Sequence, residues 1–205
     1  MTIEERITSP GGPLRRKFMA AAVCSSLAAA YPALAAPEPA TRKSGAKLVV
    51  YFSRSGNTRV IAKGIGRAQG APLFEIEPAR PYPEDYQQTV AQARGESARG
   101  FRPPLEATVP DFGRFGTIYL GFPIWGGTVP PVVRAFLAAH DLEGKTIIPF
   151  ITHGGYGPGN SMKVLAADVA GARLIDRALV MQADQERQTL ERVTGWLGGL
   201  PQARP

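Results

Sequence analysis

Residues Ser53-Arg54-Ser55-Gly56-Asn57-Thr58 gather hydrogen-bonding side chains around a single glycine. An apolar run, Lys47 to Phe52, leads into them, and a helical pattern begins at Thr58. A loop placed in this way brings backbone N–H groups and hydroxyls together at a helix N-terminus. The helix dipole favours negative charge there, so the chemistry open to the loop is anion binding. Gly56 leaves the backbone free to close around a ligand. No Gly-Lys-Ser/Thr follows, which excludes a Walker loop. Gly56 also lacks the companion glycines of the dinucleotide fingerprint. Arg54 is expected mostly in solvent, because a helix N-terminus holds an anion without a paired cation.

Two further apolar runs end in loops of similar character. The first is Thr117-Ile118-Tyr119-Leu120-Gly121-Phe122, continuing into Pro123-Ile124-Trp125-Gly126-Gly127-Thr128. The second is Thr146-Ile147-Ile148-Pro149-Phe150-Ile151, continuing into Thr152-His153-Gly154-Gly155-Tyr156-Gly157. The three loops, in this order and spacing from about Ala46 to Leu197, resemble those of the flavodoxin family. That family reads Thr/Ser-x-Thr/Ser-Gly-Asn-Thr at its phosphate loop and carries its flavin between two later loops.

The resemblance implies FMN as cofactor. Its phosphate would lie on Ser53, Arg54, Ser55, Gly56, Asn57 and Thr58. The ring would lie between Pro123, Ile124, Trp125, Gly126 and Gly127 on one side and Thr152, His153, Gly154, Gly155, Tyr156 and Gly157 on the other. Trp125 and Tyr156, one per loop, are expected to stack on or flank the ring. Gly126 or Gly127 would allow the ring-loop peptide to flip toward the flavin, since glycine tolerates positive φ. Many small relatives read Pro-Ile-Trp-Trp-Gly at the second loop. Here one of those aromatics is a glycine, which changes how the ring is covered and how far solvent reaches it. His153 is expected to cap its loop, and His140, ending a helical run, to serve as a partner of the helix C-terminal dipole.

Strand-like runs at 47–52, 72–77, 116–121, 146–151 and 173–181 alternate with helical patterns. The helical patterns cover 58–69, 84–99, 130–139, 160–170 and 185–198. Such alternation predicts an α/β fold with a parallel sheet between two helical layers. The flavodoxin-like form of this has five strands in the order 2-1-3-4-5, with its ligand where the order reverses. Pro81-Tyr82-Pro83-Glu84-Asp85 forces a turn, with Glu84 or Asp85 opening the second helix. No long insertion interrupts the last strand, as in short-chain members. The domain is expected over 46–199, followed by a short tail at 200–205.

The N-terminus reads as a separate segment. Arg15-Arg16-Lys17-Phe18-Met19 precedes an Ala-rich apolar stretch to Ala30, followed by Ala33-Leu34-Ala35. This is the pattern of an export signal over 1–36, and the paired arginines resemble the twin-arginine type that exports folded proteins. A polar, Pro-containing lead-in over 37–45 is expected to be disordered. The expected location is therefore the periplasm. The apolar stretch is too short to be a stable membrane span. The single cysteine, Cys24, lies inside the signal. The mature chain then has no thiol for a disulfide, cluster or nucleophile, and two separated histidines make no metal site.

The chain carries a formal net charge of +7. Arg6, Arg15, Arg16 and Lys17 against Glu4 and Glu5 account for two of these, leaving +5 after residue 35. Such a charge suits an acidic or membrane-bound redox protein as partner, whereas nucleic acid is disfavoured by the export signal. The function expected is that of an exported, FMN-binding electron-transfer protein. The alternatives are an FMN-dependent quinone or nitro-group reductase and a non-redox module that keeps the fold.

Overall fold

The computed structural model of the chain describes residues 45–182 and 189–201. The segment 1–36 expected to be an export signal and the lead-in up to residue 44 lie outside the described residues, as do 183–188 and 202–205. Leu200, assigned above to the tail, packs against the core together with Leu197.

Three strands form the centre. β1 (Ala46–Tyr51), β3 (Phe115–Pro123) and β4 (Thr146–His153) run parallel, with Val50 beside Leu120 and Leu120 beside Pro149. β2 (Leu73–Glu75) pairs outside β1. Side chains alternate between two cores, as strand geometry requires. Leu48, Val50, Ile118, Leu120, Phe122, Ile147 and Ile151 face one layer, while Val49, Tyr51, Tyr119, Ile148 and Phe150 face the other. Because both faces are covered, the strands read as continuous apolar runs. Gly121 is glycine for a packing reason: a Cβ there would fall inside the Phe150 ring of the adjacent strand.

α1 (Asn57–Gln69) and α5 (Thr189–Gly198) cover the second face, with Ile61, Ala62, Ile65, Val193 and Trp196 buried there. The first face is covered by α3 (Pro131–Ala139), whose Val132, Val133 and Phe136 are fully buried, and by Leu165 of α4 (Ser161–Asp168). Arg134 of α3 donates to both carboxylate oxygens of Asp168 on α4, at 2.6 and 2.9 Å. α2 (Tyr86–Ala98) also lies on this side. Asp85 caps it by accepting from the Gln88 N–H at 2.8 Å.

The order β2-β1-β3-β4-β5 is the expected one. The last strand differs in one respect. The run 173–181 is not continuous: β5 (Arg173–Leu174) pairs with Thr146 and Ile147, and β6 (Leu179–Gln182) pairs with Phe150 to His153. The break falls opposite Ile148-Pro149, and Pro149 has no N–H to give to a neighbouring strand. The looped-out residues are fastened to α5 instead: Trp196 Nε1 donates to Arg177 O at 3.0 Å, and Arg177 donates to Gly199 O at 3.1 Å.

No helix among the described residues is long and apolar enough to cross a membrane. His140 corrects the dipole expectation in part. Its Nε2 accepts from the Val109 N–H at 3.0 Å, so it carries no proton, and Nδ1–H donates to Phe136 O at 2.8 Å. The ring therefore satisfies a helix carbonyl as a neutral group, wedged between Phe112 and Phe136. Burial lowers its pKa below the ordinary histidine value. A lowered folded pKa means that its contribution to stability is full above about pH 6.5 and is lost as pH falls through the folded value. Urea melts across this range should show the stability gap between wild type and His140→Asn closing in acid. A gap that widens in acid would show that the ring is charged in the fold.

Candidate functional site

The C-terminal ends of β1, β3 and β4 meet at one edge of the sheet, and hydrogen bonds hold their loops together. The Phe52 N–H donates to Gly121 O at 2.9 Å, and the Ile124 N–H donates to Thr152 O at 2.8 Å. The hydroxyls of Thr58 and Thr152 lie 2.9 Å apart, both buried.

In the first loop, Ser53 Oγ accepts from the Arg59 N–H at 3.3 Å, and Gly56 O accepts from Val60 at 3.1 Å. Gly56 has φ 92°, the left-handed region open to glycine, and this conformation turns the chain into α1. Arg59 and Val60 are thus satisfied, while the first-turn N–H groups of Asn57 and Thr58 have no intrahelical acceptor. Asn57 Nδ2 donates to Ser55 Oγ at 3.2 Å, which sets both side chains at the mouth of the loop. Arg54 is exposed, as expected, but it is also held: its guanidinium donates to Glu84 O at 2.6 Å, just ahead of α2.

The second loop is a tight hairpin. Trp125 and Thr128 exchange both backbone hydrogen bonds at 3.1 Å, with Gly126 at φ 58° and Gly127 at φ 79° between them. Two consecutive positive φ values are the mark of a type I′ turn, which explains the glycine pair. The Trp125 ring packs edge-on against Phe52 and Tyr82, with centroids 5.1 and 4.8 Å away. The third loop winds around His153. Its Nδ1 accepts from the N–H groups of Gly155 at 3.0 Å and Gly157 at 3.2 Å, so a neutral His153 holds its proton on Nε2. The loop then closes on the second one, where the Asn160 N–H donates to Gly127 O at 2.9 Å. Gly159 lies against that carbonyl, and a Cβ there would overlap it.

These loops enclose a cavity of about 380 Å³. Of the residues expected at a ligand, the walls bring together Arg54, Ser55 and Asn57 with Pro123, Ile124, Trp125 and Gly126, and with Thr152, His153 and Gly154. The remainder stand elsewhere. Thr58 is buried in the bond to Thr152, and Ser53 in the bond that it accepts from Arg59. Gly56, Gly127, Gly155 and Gly157 shape the backbone behind the walls. Tyr156 is 94% exposed and does not line the cavity.

Sequence reasoning missed the remaining wall. α2 contributes Tyr86, Thr89, Val90, Ala93, Arg94 and Ser97. Its signal was weak because α2 buries only Thr89, Ala93 and Glu96, which make no apolar stripe. A polar contact holds it instead: Tyr82 O–H donates to Glu96 Oε2 at 2.7 Å, and Gln92 of the same helix steadies that carboxylate by donating to Oε1 at 2.8 Å. Burial, then the Glu96 carboxylate, pushes the Tyr82 pKa far up, so the phenol stays protonated and donating. No carboxylate lines the cavity, whereas two arginines and one histidine do. This donor set suits an anion attached to a flat, partly apolar group. No cluster of metal-ligating side chains occurs among the described residues.

A doubly wound parallel sheet with a glycine-bent anion loop at its switch point defines a flavodoxin-like fold. The family profile for flavodoxins matches residues 46–198, so the chain belongs to the flavodoxin family. Among solved structures it is similar to a candidate flavoprotein from Bacteroides eggerthii, at 29% identity and TM-score 0.65, covering 75% of this chain and 96% of that one. A second, from Bacteroides uniformis, has 28% identity and TM-score 0.65, covering 73% and 98%. A flavoprotein from Lactobacillus acidophilus, solved in complex with FMN, shares the fold at 19% identity and TM-score 0.57, covering 72% and 99%. No match was found among the curated proteins.

The contact between Gly159 and Gly127 makes a specific demand. A Gly159→Ala variant must displace the ring-loop carbonyl and also hold φ near 56° with a side chain. A loss of about 1–3 kcal/mol is expected in denaturant melts, with faster amide exchange at Gly126 and Gly127. Unchanged stability and exchange would show that the two loops are not coupled there.

Proposed function

We propose that this chain is an exported electron-transfer flavoprotein with FMN as its cofactor. The observation that carries the reading is the anion loop at the start of α1, opening beside a cavity free of carboxylates at the sheet's switch point. The residues present fit the group. Gly56 holds the loop open with no atom within 4 Å of its Cβ position, and the first-turn N–H groups of α1 are available to a phosphate. Ser55 and Asn57 would hold that phosphate from the cavity mouth. Pro123, Ile124, Trp125, Gly126, Thr152, His153 and Gly154 would border the ring. When bound, FMN supplies the redox chemistry. His153 holds a proton at Nε2 beside the cavity. Trp125, braced by Phe52 and Tyr82, keeps one wall apolar and excludes water.

Stoichiometric FMN uptake by the purified chain is expected, with visible flavin bands, quenched fluorescence and negligible turnover of quinone by NAD(P)H. A colourless protein that ignores added FMN would overturn the cofactor reading. Brisk NAD(P)H-driven turnover would make the protein a reductase rather than a carrier.

Export is supported by Arg15-Arg16-Lys17-Phe18-Met19 and the Ala-rich stretch that follows. The +5 charge after residue 35 favours a redox protein partner that is acidic or sits at an anionic membrane surface. Cell fractionation should find the protein in the periplasm, and replacing Arg15 and Arg16 with Lys should retain it inside the cell. Full export of the double variant would remove the twin-arginine route.

A further inference from the structure

We propose that α2 is the outer wall of the flavin slot: Tyr86 covers the ring, in the role the sequence suggests for Tyr156, and Arg94 brings positive charge to it. The inference rests on the FMN reading above and names residues that the family resemblance does not supply.

The loops leave the slot short of an aromatic. Tyr156 is 94% exposed and is not among the residues that line the cavity. Trp125 is engaged edge-on with Phe52 and Tyr82. The next position, Gly126, has no side chain to offer. Tyr86 fills this gap. It opens α2, lines the cavity, and is 64% exposed although Asp85 fixes the helix turn that carries it. The Arg54 guanidinium lies over its ring, 5.9 Å from the centroid, and the remaining exposed surface of this aromatic stands at the cavity wall, open to stacking.

Arg94 stands two helical turns further along the same wall, at the i+8 position that a helix brings to the same face. Among the described residues no hydrogen bond or ion pair holds its guanidinium, and no carboxylate lines the cavity to compete for it. Positive charge at this place favours the more negative, reduced ring over the oxidised one. The helix itself is anchored through Glu96, which accepts from Tyr82, and through Thr89, which donates to Pro83 O just ahead of the helix, so both residues stand on an element that is already fixed.

The test is a set of FMN titrations by fluorescence quenching on the full chain, with thermal melts to confirm folding. Tyr86→Ala should bind oxidised FMN roughly tenfold more weakly, Tyr86→Phe should restore binding, and Tyr156→Ala should bind like wild type. Arg94→Gln should change oxidised-FMN affinity little but lower the ratio of reduced to oxidised affinity about threefold or more. Wild-type affinity in Tyr86→Ala together with a loss in Tyr156→Ala would overturn the assignment of the wall. An unchanged affinity ratio in Arg94→Gln would overturn the charge role. A wild-type chain that takes up no FMN would overturn both this inference and the reading beneath it, a result distinct from either of the others.

Discussion

Thr152 is where the three cavity loops become one object. Its hydroxyl meets that of Thr58 at 2.9 Å, its carbonyl accepts from the Ile124 N–H at 2.8 Å, and its side chain is only 3% exposed. The anion loop, the hairpin loop and the His153 loop are therefore set relative to one another by a single residue at the end of β4. Buried hydroxyls are costly to leave unpaired, so the Thr58–Thr152 contact resists separation of the first and third loops. The contact depends in turn on the register of β1, β3 and β4, which sets Tyr51 beside Gly121 and Pro123 beside Thr152.

The packing behind this edge separates what is rigid from what is adaptable. Phe52, Tyr82 and Trp125 form a block of edge-on rings that continues the apolar core to the cavity wall. The facing helix has a different basis. α2 buries a threonine, an alanine and a glutamate, and its position relies on the hydrogen bonds of Tyr82 to Glu96 and of Thr89 to Pro83. Directional bonds locate such a helix without the shape-filling contacts that lock α3 against the sheet. Tyr86, Val90, Arg94 and Ser97 on its cavity face are outside the buried set.

This division also explains what could be read from the chain. The central strands were legible because burial on both faces forces uninterrupted apolar runs, and the anion loop because a helix N-terminus needs a small, polar, glycine-bent entry. The broken outer strand was not recognised, although Pro149 carried the information: a proline in a central strand must face a gap. Thr58 and Ser53 read as ligand donors by type, but type alone does not show what else a hydroxyl holds: Thr58 meets Thr152 of the third loop, and Ser53 accepts from Arg59 at the start of α1. Tyr156 illustrates a related point. Its loop is wound by the two glycine N–H groups that His153 draws in, while its own side chain stands exposed. α2 escaped notice as a wall because its cavity face mixes aromatic, aliphatic and cationic residues without a period.

The charges of the domain follow the same logic. Two arginines with structural tasks are paired with carboxylates: Arg59 makes a two-pronged pair with Glu75 of β2, and Arg134 does so with Asp168 between α3 and α4. Arg54 and Arg94, at the cavity, face no carboxylate in its lining. An acidic residue among these walls would oppose the field of the two arginines and of the α1 N-terminus, and buried Glu96 is instead bonded to Tyr82, outside the cavity lining. Two of the positive charges of this chain are therefore gathered, with no acid in the lining, at a cavity where an anion with a flat ring would fit.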